Sequence, residues 1–267
     1  LLRERMLREA IEARAFVLHY QPQVSLQDGS LQGFEALVRW QHPVRGLVGP
    51  DDFIAFAESR GLISPIGRWV MHEACRQLKA WQDQGLARVP VAVNLSALEF
   101  RQRDMASEIA AVLQATGLEP QYLEIELTES VLMHEADQVL KALKDLKNLG
   151  VGISIDDFGT GYSSLNYLKR YPIHKLKIDR SFVSDTPSST DDVAIVTAII
   201  QMGHSLQLKT VAEGVETTAQ RDMLQQLGCD LAQGFLVSEP MDAATALRWL
   251  ARESAPTVTP DKPACGQ

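Results

Sequence analysis

Apolar residues along this chain follow two rhythms. Short β-branched runs at Phe16 to Ser25, Leu31 to Trp40, Pro90 to Leu95, Tyr122 to Leu127, Val151 to Ile155, Lys175 to Ile178, Lys209 to Ala212 and Leu231 to Phe235 predict strands. Longer stretches with apolar positions three and four apart predict helices around Met105 to Thr116, Glu135 to Leu149, Ser163 to Arg170, Asp191 to Leu206 and Thr217 to Leu227. Ser64-Pro65 reads as an N-cap and first-turn proline for a further helix, with Ile66, Trp69, Val70, Leu78 and Trp81 on one face and an end near Gly85. The first two strands differ from the others because they flank Asp28-Gly29, a hairpin signal, and so should run antiparallel. Repeated strand-helix units with no linker predict a single α/β domain, a modified (β/α)8 TIM barrel whose first strand is antiparallel.

The ends carry other patterns. LLRERMLREAIEAR mixes Arg and Glu around apolar residues at helical spacing and does not begin with Met, which fits a helix continuing from an upstream domain or one that caps the barrel. Residues 254–267 hold Pro256, Pro260 and Pro263 with almost no large apolar residue, the composition of a disordered tail. The expected division is therefore an N-terminal helix over 1–13, continuing from upstream, a barrel domain over 14–253 and a tail over 254–267.

Composition narrows the function classes. At 45% hydrophobic and 22% charged residues over 267, the chain can bury a core. Its net charge of −8 argues against a DNA- or RNA-gripping surface. Cys75, Cys229 and Cys265 are scattered and form no C-x-x-C pair, so the expected compartment is reducing and cytoplasmic, with no disulfide framework. No apolar stretch reaches the roughly 18 residues of a spanning helix, so no direct membrane contact is expected of this segment, although an upstream segment could anchor the full-length protein.

In such a barrel, chemistry sits at the C-terminal ends of the strands. These ends are polar here: Glu35 in FEALVRW, Asn94 in VAVNLS, Glu126 and Glu129 in EIELTES, Asp156-Asp157 in ISIDDFG, Lys177 and Asp179 in KLKID, Glu213 and Glu216 in VAEGVE, and Gln233 in LAQGF. Taken singly, Glu35 fits a solvated strand residue, Asn94 a turn residue, Lys177 a surface charge and Glu216 a partner of a helix N-terminus. Their common position favours a site instead. Convergent carboxylates repel one another unless protonated or neutralised by cations, and oxygen donors favour Mg²⁺ or Mn²⁺ over zinc or copper. The six histidines show neither H-x-H nor H-E-x-x-H spacing. Two metals some 3.5 to 4 Å apart, about the reach of adjacent Asp156 and Asp157 at a strand end, suit phosphodiester hydrolysis. Asp157-Phe158-Gly159 copies a kinase tripeptide, but no H-R-D loop or Gly-rich nucleotide loop precedes it. Gly159-Thr160-Gly161-Tyr162-Ser163-Ser164 fits either an anion-facing loop or an ordinary strand-to-helix connection.

EALVRW at 35–40, NLS at 94–96, ELTES at 126–130, DDFGTGYSSL at 156–165, KID at 177–179, AEGVE at 212–216 and QGF at 233–235, in this order, resemble the EAL family of bacterial cyclic-di-GMP phosphodiesterases over roughly residues 14 to 250. The resemblance implies hydrolysis of cyclic di-GMP to linear 5'-pGpG, lowering a bacterial second messenger. It implies two Mg²⁺ or Mn²⁺ ions per site, and Ca²⁺, with its larger and looser coordination shell, is expected to inhibit. By the same likeness, Glu35, Asn94, Glu126 and Asp156 hold the first metal, and Asp156 bridges to a second held by Asp157. Glu213 stands beside the pair, Lys177 touches the attacking water, Gln233 orients a water at the metals, and Arg39 clamps a phosphate oxygen. Gln21 contacts substrate at the barrel mouth, Asp179 and Glu216 support the site, and Glu129 holds the DDFGTGYSSL loop in shape. The likeness also implies a homodimer through the helices after the Asp156 and Asp179 strands, and upstream regulatory domains in the full-length protein. Phe235 departs from the Tyr frequent in the family. The rival expectations are a non-catalytic cyclic-di-GMP receptor, disfavoured because every ligand position is filled, and a metal-dependent lyase or aldolase on the same barrel.

Overall fold

The computed structural model describes residues 2–86, 88–102, 104–132, 136–161 and 168–253. Helix α1 (Leu2–Glu12) leads into β1 (Phe16–Ser25), β2 (Leu31–His42) and the short β3 (Gly46–Val48), followed by α2 (Ile54–Ser59) and the long α3 (Ile63–Asp83). Next come β4 (Val91–Asn94), α4 (Ala97–Gln102), α5 (Met105–Thr116), β5 (Leu123–Thr128), α6 (Glu129–Leu132), α7 (Ala136–Leu149) and β6 (Gly152–Phe158). The rest of the described chain forms β7 (Lys175–Ile178), α8 (Arg180–Ser184), α9 (Thr190–Ser205), β8 (Lys209–Ala212), α10 (Thr218–Gln226), β9 (Leu231–Ala232), β10 (Met241–Asp242) and α11 (Ala243–Glu253).

The sheet runs β10-β1-β9-β8-β7-β6-β5-β4-β2-β3 and closes through the β1–β2 pairing. Eight staves thus form the barrel, while β3 and β10 extend it as short antiparallel additions that strand-length hydrophobic runs do not reveal. As expected, β1 is antiparallel to β2, and it is also antiparallel to β9. The turn between β1 and β2 is a five-residue loop with Gly29 at φ 74° and Asp28 accepting from the Ser30 N–H, instead of a two-residue turn. A register shift at Gln23/Val24 lets β1 bend towards β9.

The longest helix shows why the pattern was readable. Along α3, Ile66, Val70, Ala74, Leu78 and Trp81 recur at helical spacing and are buried. Trp81 packs edge-on to Tyr20 at 4.9 Å and against Phe34 at 5.6 Å, tying the helix to the first hairpin. Each such aliphatic side chain contributes roughly 1.5–3 kcal/mol by leaving water. The expected cap at Ser64 is not observed. The helix begins at Ile63 after Leu62, without a side-chain cap, and Ser64 lies buried inside the first turn. Pro65 is tolerated there because first-turn N–H groups have no intrahelical partner. Thr217, by contrast, forms a complete capping box with Gln220 at the start of α10.

Helices α2, α4, α6, α8 and α11 were not anticipated, and the first four span at most six residues, too few for a periodic signal. The expected helix from Ser163 falls largely outside the described residues, as do Tyr162 to Ser164 of the glycine loop, His134, Cys265 and the 254–267 tail. Leu7 and Ala10 of α1 join the core, and Arg3 stacks over Phe56 at 4.9 Å. Alternate residues on each stave point inwards, so Glu35 and Arg39, Glu124 and Glu126, and Lys175 and Lys177 share the barrel interior.

Candidate metal centre at the barrel mouth

Parallel staves bring their C-terminal ends to one side. Asn94 pairs in register with Glu126, Thr128 with Asp156, and Lys177 with Val211, two residues before Glu213. Glu35, Asn94, Glu126, Asp156, Lys177, Glu213 and Gln233 therefore belong to one polar layer.

Lys177 is its centre. Fully buried, its Nζ lies 2.7 Å from Glu126, 2.7 Å from Glu213, 3.2 Å from Asp156 and 3.4 Å from Glu35. Burial would depress the ammonium pKa, but Asp156, Glu126, Glu213 and Glu35 reverse that and hold it well above the usual lysine range. One cation cannot neutralise four carboxylates, and the surplus shows in their proton affinities. Burial pushes Glu213 up to about 8, with Lys177 opposing and Asp156 and Glu35 adding. Burial likewise raises Glu126 well above the carboxylate range, against the pull of Lys177 and reinforced by Glu35, Asp156 and Glu124. At Glu35, burial is outweighed by Lys177 and by hydrogen bonds from Gln233 and Asn94, so its pKa is lowered. Such a cluster takes up protons or cations at neutral pH.

Successive strand side chains normally face opposite ways, so Asp156 and Asp157 needed a local device to converge. The structure supplies one: Asp157 adopts φ 53°, left-handed backbone that Asp tolerates better than most residues, and the β6–β7 register shifts between Ile155 and Phe158. Burial, Asp156 and Asp179 raise Asp157 to about 6. Asp179 itself caps α8 by accepting from the Ser181 N–H, and its pKa is lowered despite partial burial by its bonds to Ser181 and Asp157.

The other candidates divide. Gln21 and Gln233 are buried and bonded, Gln233 Nε2 donating to Glu35 Oε2 at 2.6 Å and to Gln21 Oε1 at 3.0 Å. Asn94 Nδ2 donates to the other Glu35 oxygen at 2.6 Å. Arg39 is half-buried on the Glu35 face of β2 with its guanidinium donating to the Val38 carbonyl; burial lowers its pKa, countered by Glu35 and Asp51. Glu216 is exposed, and its backbone N–H donates to Gln220 Oε1 at 2.8 Å. The QGF glycine is required by close approach: a Cβ at Gly234 would lie 2.3 Å from Val215 backbone atoms.

Glu129 is buried at the start of α6. Its Oε2 accepts from the backbone N–H of Gly159 at 3.0 Å and of Gly161 at 3.3 Å, so it clasps the segment that carries Asp156 and Asp157. We expect Glu129→Ala to cost about 1–3 kcal/mol, the range for stranding buried donors, and to raise the Mg²⁺ concentration that activity needs. Thermal melts and metal titrations check the two halves, and Glu129→Gln, which keeps an acceptor, should sit nearer to wild type. Unchanged metal dependence would leave Glu129 a purely structural residue.

Two overlapping oxygen triads fit divalent metal: Glu35, Glu126 and Asp156, and Asp156, Asp157 and Glu213, each with ligand atoms within 4.8 Å of one another. Glu126 Oε1 is buried with no hydrogen-bond partner among the described residues, an orphaned acceptor that a cation would satisfy. Beside Asn94 and Asp157 opens a groove of about 580 Å³, walled by apolar residues including Ala36, Ile54 and Ile66, with Asp51, Glu58 and Glu99 among its polar groups. That volume suits a nucleotide-sized ligand. Of these lining residues, Asp51, Ile54, Glu58 and Glu99 were missed in the sequence because they sit in the β3–α2 region and on α4, away from strand ends.

Fold and site together define a closed α/β barrel with a carboxylate-rich centre able to hold metal at the C-terminal ends of its strands. The chain belongs to the EAL domain family, whose sequence model matches residues 4–240. It is 52% identical over 241 residues to the bifunctional diguanylate cyclase/cyclic di-GMP phosphodiesterase MucR of Pseudomonas aeruginosa, covering 90% of this chain and 35% of that protein. It is 46% identical over 247 residues to the cyclic di-GMP phosphodiesterase NbdA of the same organism, covering 92% and 32%. This chain thus spans about a third of the length of these relatives. The solved structure of the PaMucR phosphodiesterase in complex with c-di-GMP superposes with a TM-score of 0.90 at 51% identity, covering 92% of this chain and 100% of that one.

Proposed function

We propose that this domain is a metal-dependent phosphodiesterase that hydrolyses one phosphodiester bond of cyclic di-GMP to give linear 5'-pGpG. The observation that carries this is the pair of oxygen triads sharing Asp156 around the buried Lys177, in a chain half identical to a cyclic di-GMP phosphodiesterase. Glu35, Asn94, Glu126 and Asp156 would hold one Mg²⁺ or Mn²⁺, and Asp156 with Asp157 a second, with Glu213 adjoining. When bound, the ions offset the carboxylate charge, draw in the anionic dinucleotide and acidify water to make a nucleophile at neutral pH.

The chain's own groups do the rest. The Lys177 ammonium holds positive charge beside the attacking water and favours its hydroxide form. Gln233, fixed by Gln21 and Glu35, orients that water; Arg39 grips a phosphate oxygen; the groove beside Asn94 receives a base and excludes solvent. Gln21 contacts substrate at the mouth, and Asp179 and Glu216 support the site from β7 and the loop after β8.

Incubation with cyclic di-GMP and Mg²⁺, followed by chromatography, should show pGpG; intact bound ligand would mean a receptor, and neither would end this reading. With Ca²⁺ as sole metal we expect binding without turnover, because its ligands stand at about 2.4 Å against about 2.1 Å for Mg²⁺ and its looser shell misplaces the reacting groups. Efficient hydrolysis in Ca²⁺ would contradict the metal geometry.

We further propose a homodimer through α8 and the segment after β6 that the sequence pattern makes helical, most of it outside the described residues, tested by sedimentation with and without ligand, and control by upstream regulatory domains, which the greater length of the relatives supports. Among the described residues no helix is long and apolar enough to cross a membrane, and the scattered cysteines support a cytoplasmic setting.

A further inference from the structure

Beneath the acidic centre lies a second polar layer that the reaction does not use directly. Gln23 on β1, Glu124 on β5 and Lys175 on β7 occupy the inward positions one step deeper, and all three are buried. Lys175 Nζ lies 2.7 Å from Glu124 Oε2 and donates to Gln23 Oε1 at 3.4 Å. Gln23 Nε2 donates to Gln233 Oε1 at 3.0 Å, and Gln233 Nε2 donates to Glu35 Oε2 at 2.6 Å.

We propose that Lys175 is a positioning residue for the metal centre, acting through the directional relay Lys175–Gln23–Gln233–Glu35. This rests on the reading of Glu35 as a metal ligand. An amide side chain has nearly the same shape at both ends but accepts only at its oxygen and donates only from its NH₂ group, so its partners decide which way it points. An ammonium can only donate, so Gln23 turns its oxygen to Lys175 and its NH₂ group to Gln233. Gln233 must then present oxygen to Gln23 and NH₂ to Glu35. Reversing Gln23 sets NH₂ against the ammonium and oxygen against oxygen, and reversing Gln233 sets NH₂ against NH₂ and oxygen against carboxylate, in a buried setting where unmatched polar groups are costly. The relay thus fixes which Glu35 oxygen is clamped by Gln233, and so the plane of the carboxylate offered to metal. Hydrogen-bonded partners of this kind orient ligands and tune metal affinity. Gln21 adds a side brace: its oxygen takes the second Gln233 proton, and its own NH₂ group is held by the Ser238 carbonyl at 3.1 Å.

A purely structural Lys175–Glu124 pair would affect stability alone, and two variants separate the cases. Gln23→Glu keeps size and accepts from Lys175 but as a carboxylate cannot donate, so it faces the Gln233 oxygen acceptor to acceptor and loosens the amide that clamps Glu35. The paired change Lys175→Met with Glu124→Leu removes the ion pair without stranding either charge and releases Gln23. Mn²⁺ affinity is measured calorimetrically on substrate-free protein, alongside kcat and KM for cyclic di-GMP at saturating metal. Gln23→Glu should weaken Mn²⁺ binding and lower kcat by about 10- to 100-fold with KM changed far less, the paired variant should move both in the same direction, and Lys175→Arg should restore wild-type values. Wild-type Mn²⁺ affinity and kcat in folded Gln23→Glu would overturn the relay, and if that variant does not fold, wild-type values in the paired variant would do so. Wild-type protein that binds Mn²⁺ but leaves cyclic di-GMP intact would defeat the functional reading instead, with the Mn²⁺ comparison still deciding the relay.

Discussion

Glu35→Ala should lose at least about a hundred-fold in kcat while its melting temperature stays within a few degrees of wild type. The activity loss follows from position: Glu35 is one corner of the first oxygen triad, and its two oxygens are held by Asn94 at 2.6 Å and Gln233 at 2.6 Å. Removing it takes away a proposed metal ligand and the acceptor that orients both amides. Breaking a buried ion pair usually costs several kcal/mol because it strands a charge. Here it strands none, since Lys177 keeps Glu126, Asp156 and Glu213. Gln233 also keeps its bonds to Gln21 and Gln23, and Asn94 is exposed to water. Steady-state kinetics, Mn²⁺ titration and a melt on the same sample test this. Near-normal turnover would remove Glu35 from the metal centre.

Lys177→Met should behave differently. Its kcat is expected to fall by about 10²–10³-fold, the usual effect of deleting one group that stabilises developing charge, with KM moved much less. Unlike Glu35, Lys177 has no substitute, because it is the only cation that contacts Glu35, Glu126, Asp156 and Glu213 among the described residues. The variant should therefore melt at lower temperature than wild type without divalent metal, and added Mg²⁺ should recover most of the loss. If instead kcat is preserved and only substrate binding weakens, Lys177 serves affinity and not the attacking water.

Much of this was legible from residue order. The alternation of strand and helix patterns predicts the barrel, and Asp28-Gly29 predicts the antiparallel opening, because periodicity and turn chemistry are local properties. The polar strand ends mark the site because a parallel barrel gathers those ends at one mouth. Other features were decided only in three dimensions. That Asp156 and Asp157 reach the same centre depends on left-handed backbone at Asp157 and a shifted register with β7, which two adjacent aspartates do not announce. Ser64 has the composition of a helix cap, but packing draws it into the helix and buries it. Glu129 stands among the polar strand ends in the sequence, but its burial and its two backbone donors come only with the fold. Gln23, Glu124 and Lys175 look like ordinary polar strand residues; only closure of β1, β5 and β7 around one interior brings them within hydrogen-bond reach. The sequence by itself determines which residue types stand at which strand positions, since that is set by local pattern. Which of them meet, and which way each amide points, is decided by tertiary structure, because both depend on partners dozens to hundreds of residues away.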